Sequence, residues 1–272
     1  MRNLIRAVVL SVVIGVALSI EASPTPADAA EFDVTPVEAI LSVHNRSQLL
    51  TIQNNSGETM RLQLSAFGWR DGANGEPVLS PTEDIIFFPE LFSLSPGESR
   101  KRRVGSFVPA EQTEKTYRLY ISQLKPLETP VAHMTSSGPQ IRVLLNIGIP
   151  IYIEPVAPSF QGEMDKLAMS NGVLSFELKN SGNLHFTARK MVVQGLGSDG
   201  HTILSRAANG TRILTGDVRE YKLPPLATTE CTAAQTIEIQ IDTDQGVLKK
   251  SLPVTADACS NGVPSGAPGR IQ

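Results

Sequence analysis

The sequence lacks the marks of the common enzyme classes. Its four histidines, His44, His133, His185 and His201, are scattered, with no H-x-H or H-E-x-x-H spacing to bring two onto one metal ion. There is no G-x-S-x-G turn to present a serine, no glycine loop built for phosphate, and no Asp/Glu pair singled out by its setting. These absences count against a hydrolase or metalloenzyme, and no cofactor, metal or small-molecule substrate is expected. The net charge is only −3, so the chain as a whole offers no polycationic surface, and no nucleic-acid partner is expected. One basic run, Arg100 to Arg103, is an exception. In an extended strand its four side chains divide between two faces, which suits a solvated edge strand. Sustained 3.6-residue periodicity is also missing, so helices are not the building material.

Long apolar runs are missing too, apart from one at the start. Arg2 and Arg6 precede an apolar stretch from Ala7 to Ile20, then Pro24, Pro26 and the small residues Ala27-Asp28-Ala29. A basic head, an apolar core shorter than about 18 residues and an A-x-A site read as a cleaved signal peptide over residues 1–29. An uncleaved anchor is the competing reading. The mature chain is therefore expected to be exported and soluble. Export changes how the sparse cysteines read: Cys231 and Cys259 are the only two, and an oxidising compartment favours joining them. They bracket Thr236–Asp242 and Gly246–Val254, which read as a hairpin whose outer ends lie close together. A disulfide closing that loop contributes roughly 3–4 kcal/mol on the chain-entropy estimate.

What the chain does contain is short alternating runs between turns. Leu50 and Ile52, then Met60, Leu62, Leu64 and Ala66, then Tyr117, Leu119 and Ile121 each place apolar side chains at every second position. "NNSGE", "RDGANGEP" and "SPGES" supply the turns between them. This spacing predicts antiparallel sandwiches. "EPVAPSFQG", residues 154–162, carries two prolines and reads as a hinge, after which the pattern restarts with Leu174, Phe176 and Leu178. Further on, Phe186 and Ala188 alternate, and then Met191 and Val193. Two all-β domains are expected, at 31–154 and 158–260, followed by a disordered Gly/Pro-rich tail at 261–272.

One row is unusually long. Ile141, Val143, Leu145, Ile147, Ile149, Ile151 and Ile153 occupy alternate positions of "QIRVLLNIGIPIYIEP", with Pro150 among them. A typical strand runs to about 5–6 residues. An ordinary core strand is one explanation; the other is that Ile149, Ile151 and Ile153 belong to the core while the preceding residues project at an edge. Gly148 and Pro150 fit that division, because proline is tolerated at sheet edges and bulges.

Several stretches together resemble the periplasmic pilus-assembly chaperones. "FFPELFSLSPGESRKRRV" is similar to that family's apolar, Pro-Gly and basic-strand segment. "YRLYISQL" and "IRVLLNIGIPIYIEP" resemble the last two strands of its first domain, and "LKNSGNLHF" a turn of its second. The resemblance implies two immunoglobulin-like β-sandwich domains in a boomerang arrangement, with no enzymatic activity. It implies partners as well: pilus or fimbrial subunits that lack a strand, and an outer-membrane usher that receives them. The donated strand would carry Ile141, Val143, Leu145 and Ile147. One departure stands out. The family holds its client's terminal carboxylate with an Arg and a Lys, whereas alignment of the strands places Pro36 and Pro150 there. A surface subunit or adhesin is the alternative. A subunit should bring an alternating apolar N-terminal extension, yet Pro24 to Glu31 is short, polar and proline-rich. A carbohydrate-binding or hydrolytic sandwich is a weaker third reading.

Overall fold

Alternating side chains become strands because only an extended backbone sends successive side chains to opposite faces. A computed structural model describes residues 32–72, 75–126 and 143–259. The signal segment 1–29, Ile141 and the tail 261–272 lie outside the described residues. The first part of the chain forms β1 (Phe32–Thr35), β2 (Ala39–Leu41), β3 (Ser47–Asn54), β4 (Met60–Asp71) and β5 (Pro77–Pro81). β6 (Ile85–Phe87), β7 (Leu91–Leu94), β8 (Ser99–Ser106), β9 (Lys115–Leu124) and β10 (Asn146–Ile153) follow. They make two sheets, ordered β1-β3-β8-β6 and β2-β10-β9-β4-β5, with β7 also paired to β4.

The second part contains β11 (Gly162–Ser170), β12 (Val173–Asn180), β13 (Phe186–Leu196), β14 (Thr202–Asn209) and β15 (Arg212–Ile213). β16 (Val218–Lys222), α1 (Thr228–Ala233), β17 (Thr236–Thr243), β18 (Val247–Pro253) and α2 (Ala256–Cys259) complete it. Its sheets run β11-β12-β16 and β14-β13-β17-β18, with β15 paired to β13. The architecture is thus all-β and built of two β-sandwiches.

Each sandwich encloses its own apolar cluster. In the first, Phe32, Leu50, Ile52, Leu62, Leu119 and Ile151 are fully buried. In the second, Leu178, Phe186, Ala188, Ile237 and Ile241 play the same part. Each buried Leu or Ile contributes about 1.5–3 kcal/mol relative to exposure. The shift of parity between Phe186/Ala188 and Met191/Val193 has a local cause. β13 bulges between Ala188 and Lys190 opposite β17, and the extra residue turns the apolar face back inward.

One device recurs in both sandwiches. Asn54 ends β3 and is fully buried; its Nδ2 donates to the carbonyls of Glu58, Leu94 and Ser95 at 2.8, 3.1 and 3.0 Å. Asn180 ends β12, is equally buried, and donates to Leu184 and Ile213 at 2.9 and 3.2 Å. Each side-chain oxygen accepts from a backbone N–H two residues on, Ser56 in one case and Gly182 in the other. A buried asparagine so satisfied locks a turn against the strands around it.

Cys231 and Cys259 form a disulfide with their Cα atoms 5.6 Å apart. The cysteines do not sit on the hairpin strands themselves. They lie on α1 and α2, which flank β17 and β18.

The sandwiches meet along a polar seam over an aromatic centre. Tyr152 is fully buried and stacks on His185 with ring centroids 4.0 Å apart. His185 Nδ1 hydrogen-bonds the Glu114 carboxylate at 2.7 Å, and Glu114 also accepts from the His185 backbone N–H at 3.1 Å. Asn183 Nδ2 donates to the carbonyls of Gln112 and Ala157 at 2.7 and 2.9 Å. Glu154 and Val156 donate backbone bonds to Leu41 and Glu111, so the segment expected to serve as a hinge is tied down at both positions. Farther along, the Arg219 guanidinium donates to Asp71 at 2.7 Å, while the Trp69 indole donates to the other Asp71 oxygen at 3.2 Å. Burial, with the nearby Asp71 carboxylate adding to it, pushes the Asp217 carboxyl up to about 6, against the opposing pull of Arg219.

Candidate functional site

The long apolar row lies on β10, and its two halves have different surroundings. Ile149, Ile151 and Ile153 are buried in the first core at 2%, 0% and 3% exposure. Leu145 and Ile147 face the same way and are half-buried against the margin of that core. Val143 is 65% exposed. The row therefore runs out of the sandwich toward solvent, with Ile141 beyond the described residues.

Backbone parity shows which side of β10 is free. Leu145 accepts from the Gln123 N–H at 2.8 Å, and its own N–H donates to the Gln123 side chain at 3.1 Å. Leu145 and the other odd-numbered residues of the row thus direct their peptide groups at β9. Glu154, an even-numbered residue, donates to Leu41 next to β2 at 2.8 Å. Asn146, Gly148 and Pro150 must point the same way as Glu154. Yet β2 pairs only with Ile151–Ile153. Among the described residues no strand pairs with this edge over Asn146–Gly148, so it holds open backbone donors and acceptors beside an apolar row, while the register Ile151↔Ala39 already takes up the Pro150 carbonyl.

Pro150 sits where a missing N–H costs no hydrogen bond, since its nitrogen faces the open edge just before β2 begins. Gly148 has a separate reason. A Cβ there would lie 3.0 Å from Tyr120 Cε1, so glycine lets the strand pass close over the ring. Opposite Pro150 in the ladder is Arg118 on β9, whose guanidinium lies 4.0 Å from the centre of the Trp69 ring. Arg118 makes no salt bridge among the described residues, and its Nε is buried without a partner. The prolines at positions 36 and 150 carry no charge, so neither fills the role of a carboxylate-binding cation.

Sequence reasoning did not identify the seam residues. Tyr152 alternates out of phase with the isoleucines, and burial of both faces of β10 at its end is the reason: Ile151 and Ile153 enter one core while Tyr152 packs with Trp69 and Leu214. Its phenol is pushed up by burial. The unbroken apolar run Ile149 to Ile153, without polar alternation, was the available signal. Among the described residues no group of three or more His, Cys, Asp or Glu side chains is placed to hold a metal ion.

No family model matches this chain, and no curated protein does. Solved structures do. The class 5 fimbriae chaperone CfaA is 16% identical with a TM-score of 0.54, over 81% of this chain and 98% of that one. A chain from a chaperone–tip adhesin complex of CFA/I fimbriae biogenesis is 16% identical with a TM-score of 0.53, over 82% and 100%. The chaperone YadV is 10% identical with a TM-score of 0.53, over 82% and 99%. This chain has the two-domain β-sandwich fold of these fimbrial chaperones, at 10–16% sequence identity.

Proposed function

We propose that this protein is an exported, non-enzymatic chaperone that binds pilus or fimbrial subunits by lending them the open edge of β10. The observation that carries the proposal is the coincidence of an unpaired backbone edge at Asn146–Gly148 with a row that passes from core to solvent. A subunit lacking a strand exposes an apolar groove and unpaired peptide groups, both aggregation hazards. Strand addition satisfies both at once, through ladder hydrogen bonds and burial of alternate side chains. Ile141, Val143, Leu145 and Ile147 are the donated side chains in this reading. Arg118, one strand away from Pro150, takes over the missing cation's role toward the client's carboxylate. The loaded complex is then delivered from the periplasm to an outer-membrane usher.

The test pairs two substitutions. Val143→Glu is expected to leave the melting temperature within a degree or two, because the side chain is already exposed. The same change puts a charge into the client groove and is expected to abolish co-purification with a subunit encoded beside it. Ile151→Glu buries an unpaired carboxylate in the core and is expected to unfold the first sandwich, a cost on the order of 4 kcal/mol or more. If Val143→Glu unfolds the protein as Ile151→Glu does, or leaves subunit capture intact, the strand-lending proposal fails.

A further inference from the structure

Just past the ends of β6 and β8 in the β1-β3-β8-β6 sheet, away from β10, lie the two most exposed large apolar residues among those described. Phe88 is 84% exposed and Phe107 80%. Phe87 pairs with Val104 and Ile85 with Ser106, so the two rings project from opposite ends of the β6–β8 ladder. Their Cα atoms are roughly 13 Å apart, four residues of extended chain. Between them runs a shallow groove of about 430 Å³, floored by Gly105 and Ser47. A Cβ on Gly105 would stand 3.0 Å from the Arg46 carbonyl, so the glycine keeps this floor flat.

The same face is basic. Arg46, Lys101 and Arg103 are exposed, and Arg103 donates only to the Ser47 hydroxyl, at 3.0 Å. None of the three forms a salt bridge among the described residues, and no acidic side chain lines the groove. The chain carries a net charge of −3, so this concentration of unpaired cations runs against its average. A partner complementary to the face is therefore anionic.

We propose that this face docks on an anionic lipid surface, with Phe88 and Phe107 entering the headgroup layer and Arg46, Lys101 and Arg103 meeting the phosphates. Two features favour lipid over an acidic protein segment. The phenyl rings stand clear of the protein at opposite ends of the β6–β8 ladder, free to enter a soft headgroup layer that needs no preformed pocket. Both rings also share the groove lining with two cations, Arg46 and Arg103, and exposed aromatic rings interleaved with cations suit an interfacial anchor. Such a contact would hold the chaperone near the membrane while leaving β10 free.

The experiment is vesicle flotation of the full protein with phosphatidylcholine alone and with phosphatidylcholine containing phosphatidylglycerol. Partitioning onto the anionic vesicles is expected, weakening with added salt. Arg46→Gln with Arg103→Gln is expected to reduce it by roughly twentyfold, and Phe88→Ser with Phe107→Ser by about tenfold. All four positions are exposed, so melting temperature and subunit capture should stay unchanged, which separates this proposal from the role of β10. Absence of partitioning overturns it. So does partitioning that ignores either pair of substitutions, or equal binding to uncharged vesicles. Loss of binding to a purified acidic protein, with no vesicle binding at all, would assign the face to that protein instead.

Discussion

The last strands of the two sandwiches, β10 and β18, have the same position in the chain's logic and opposite fates. β18 pairs with β17 over its whole length, from Val247 to Pro253. It carries Lys249 and Lys250, and Lys250 reaches across to the Met164 carbonyl at 2.5 Å. The helix that follows it is bonded to α1 through the disulfide. Lysine and proline are ordinary defences of a sheet edge. β10 has no lysine, and Pro150 is its one such residue. Its free edge presents Asn146 and Gly148, its apolar row runs into solvent at Val143, and no lysine interrupts it. One edge is guarded and the other is left available, within one chain and one fold. An edge left open over Asn146–Gly148 is an aggregation hazard unless something covers it.

The largest expected effect comes from removing the guard. Cys231→Ala with Cys259→Ala should lower the stability of the second sandwich by about 3–4 kcal/mol. Calorimetry should then show a transition for the second sandwich moved to lower temperature, with the first sandwich less affected. A variant as stable as the parent would mean that β18 is held without its staple.

The next effect probes what the sandwiches share. Asn54→Ala and Asn180→Ala each strip buried carbonyls and N–H groups of partners, at about 2–3 kcal/mol in all. Asn54 serves three carbonyls and Asn180 two, so denaturant midpoints should fall further for Asn54→Ala. The reverse order would show that the two turns, alike in geometry, are not alike in load.

The smallest effect concerns the join between the sandwiches. The Asp217 carboxyl is raised to about 6 in the fold, against an ordinary carboxylate value near 4 unfolded. The fold therefore favours its protonated form. Its stability contribution is best below pH 4, declines as pH rises, and is fully lost above 6. Asp217→Asn fixes the neutral form, so the variant should gain on the parent between pH 4.5 and 7. With solvent screening allowed for, the gain is no more than about 1–2 kcal/mol. Melting temperatures measured across that range check it, and a constant difference between the two proteins would remove Asp217 from the join.

Much of the fold was legible in the sequence because alternation is a direct readout of strand geometry. Leu62 and Leu64, Leu119 and Ile121, and Leu174 to Leu178 all fall on buried faces. Even the bulge in β13 left a trace, in the change of parity after Ala188. The basic run was read as a solvated edge, and the structure refines this. β8 is interior by strand order, but β6 pairs only with Val104–Ser106, leaving Arg100–Arg103 bonded to β3 alone. The seam was not legible. Glu114 and His185 are 71 positions apart, and nothing in either local pattern announces a contact across that distance. The open edge of β10 was legible only in part. The apolar row showed an unusual strand, but the shortness of β2, which leaves the edge unpaired, is a property of the neighbour.

Pro150 has one more consequence. It stands at the boundary between the stretch of edge that β2 occupies and the stretch that is vacant. A strand arriving at the vacant stretch finds N–H donors at Asn146 and Gly148, then a ring nitrogen that donates nothing. The ladder cannot zip past that point into β2. On the strand-lending proposal the residue is a ruler: it would fix how far an incoming strand travels and keep each lent segment at one length, and the first sandwich would keep its own closing strand.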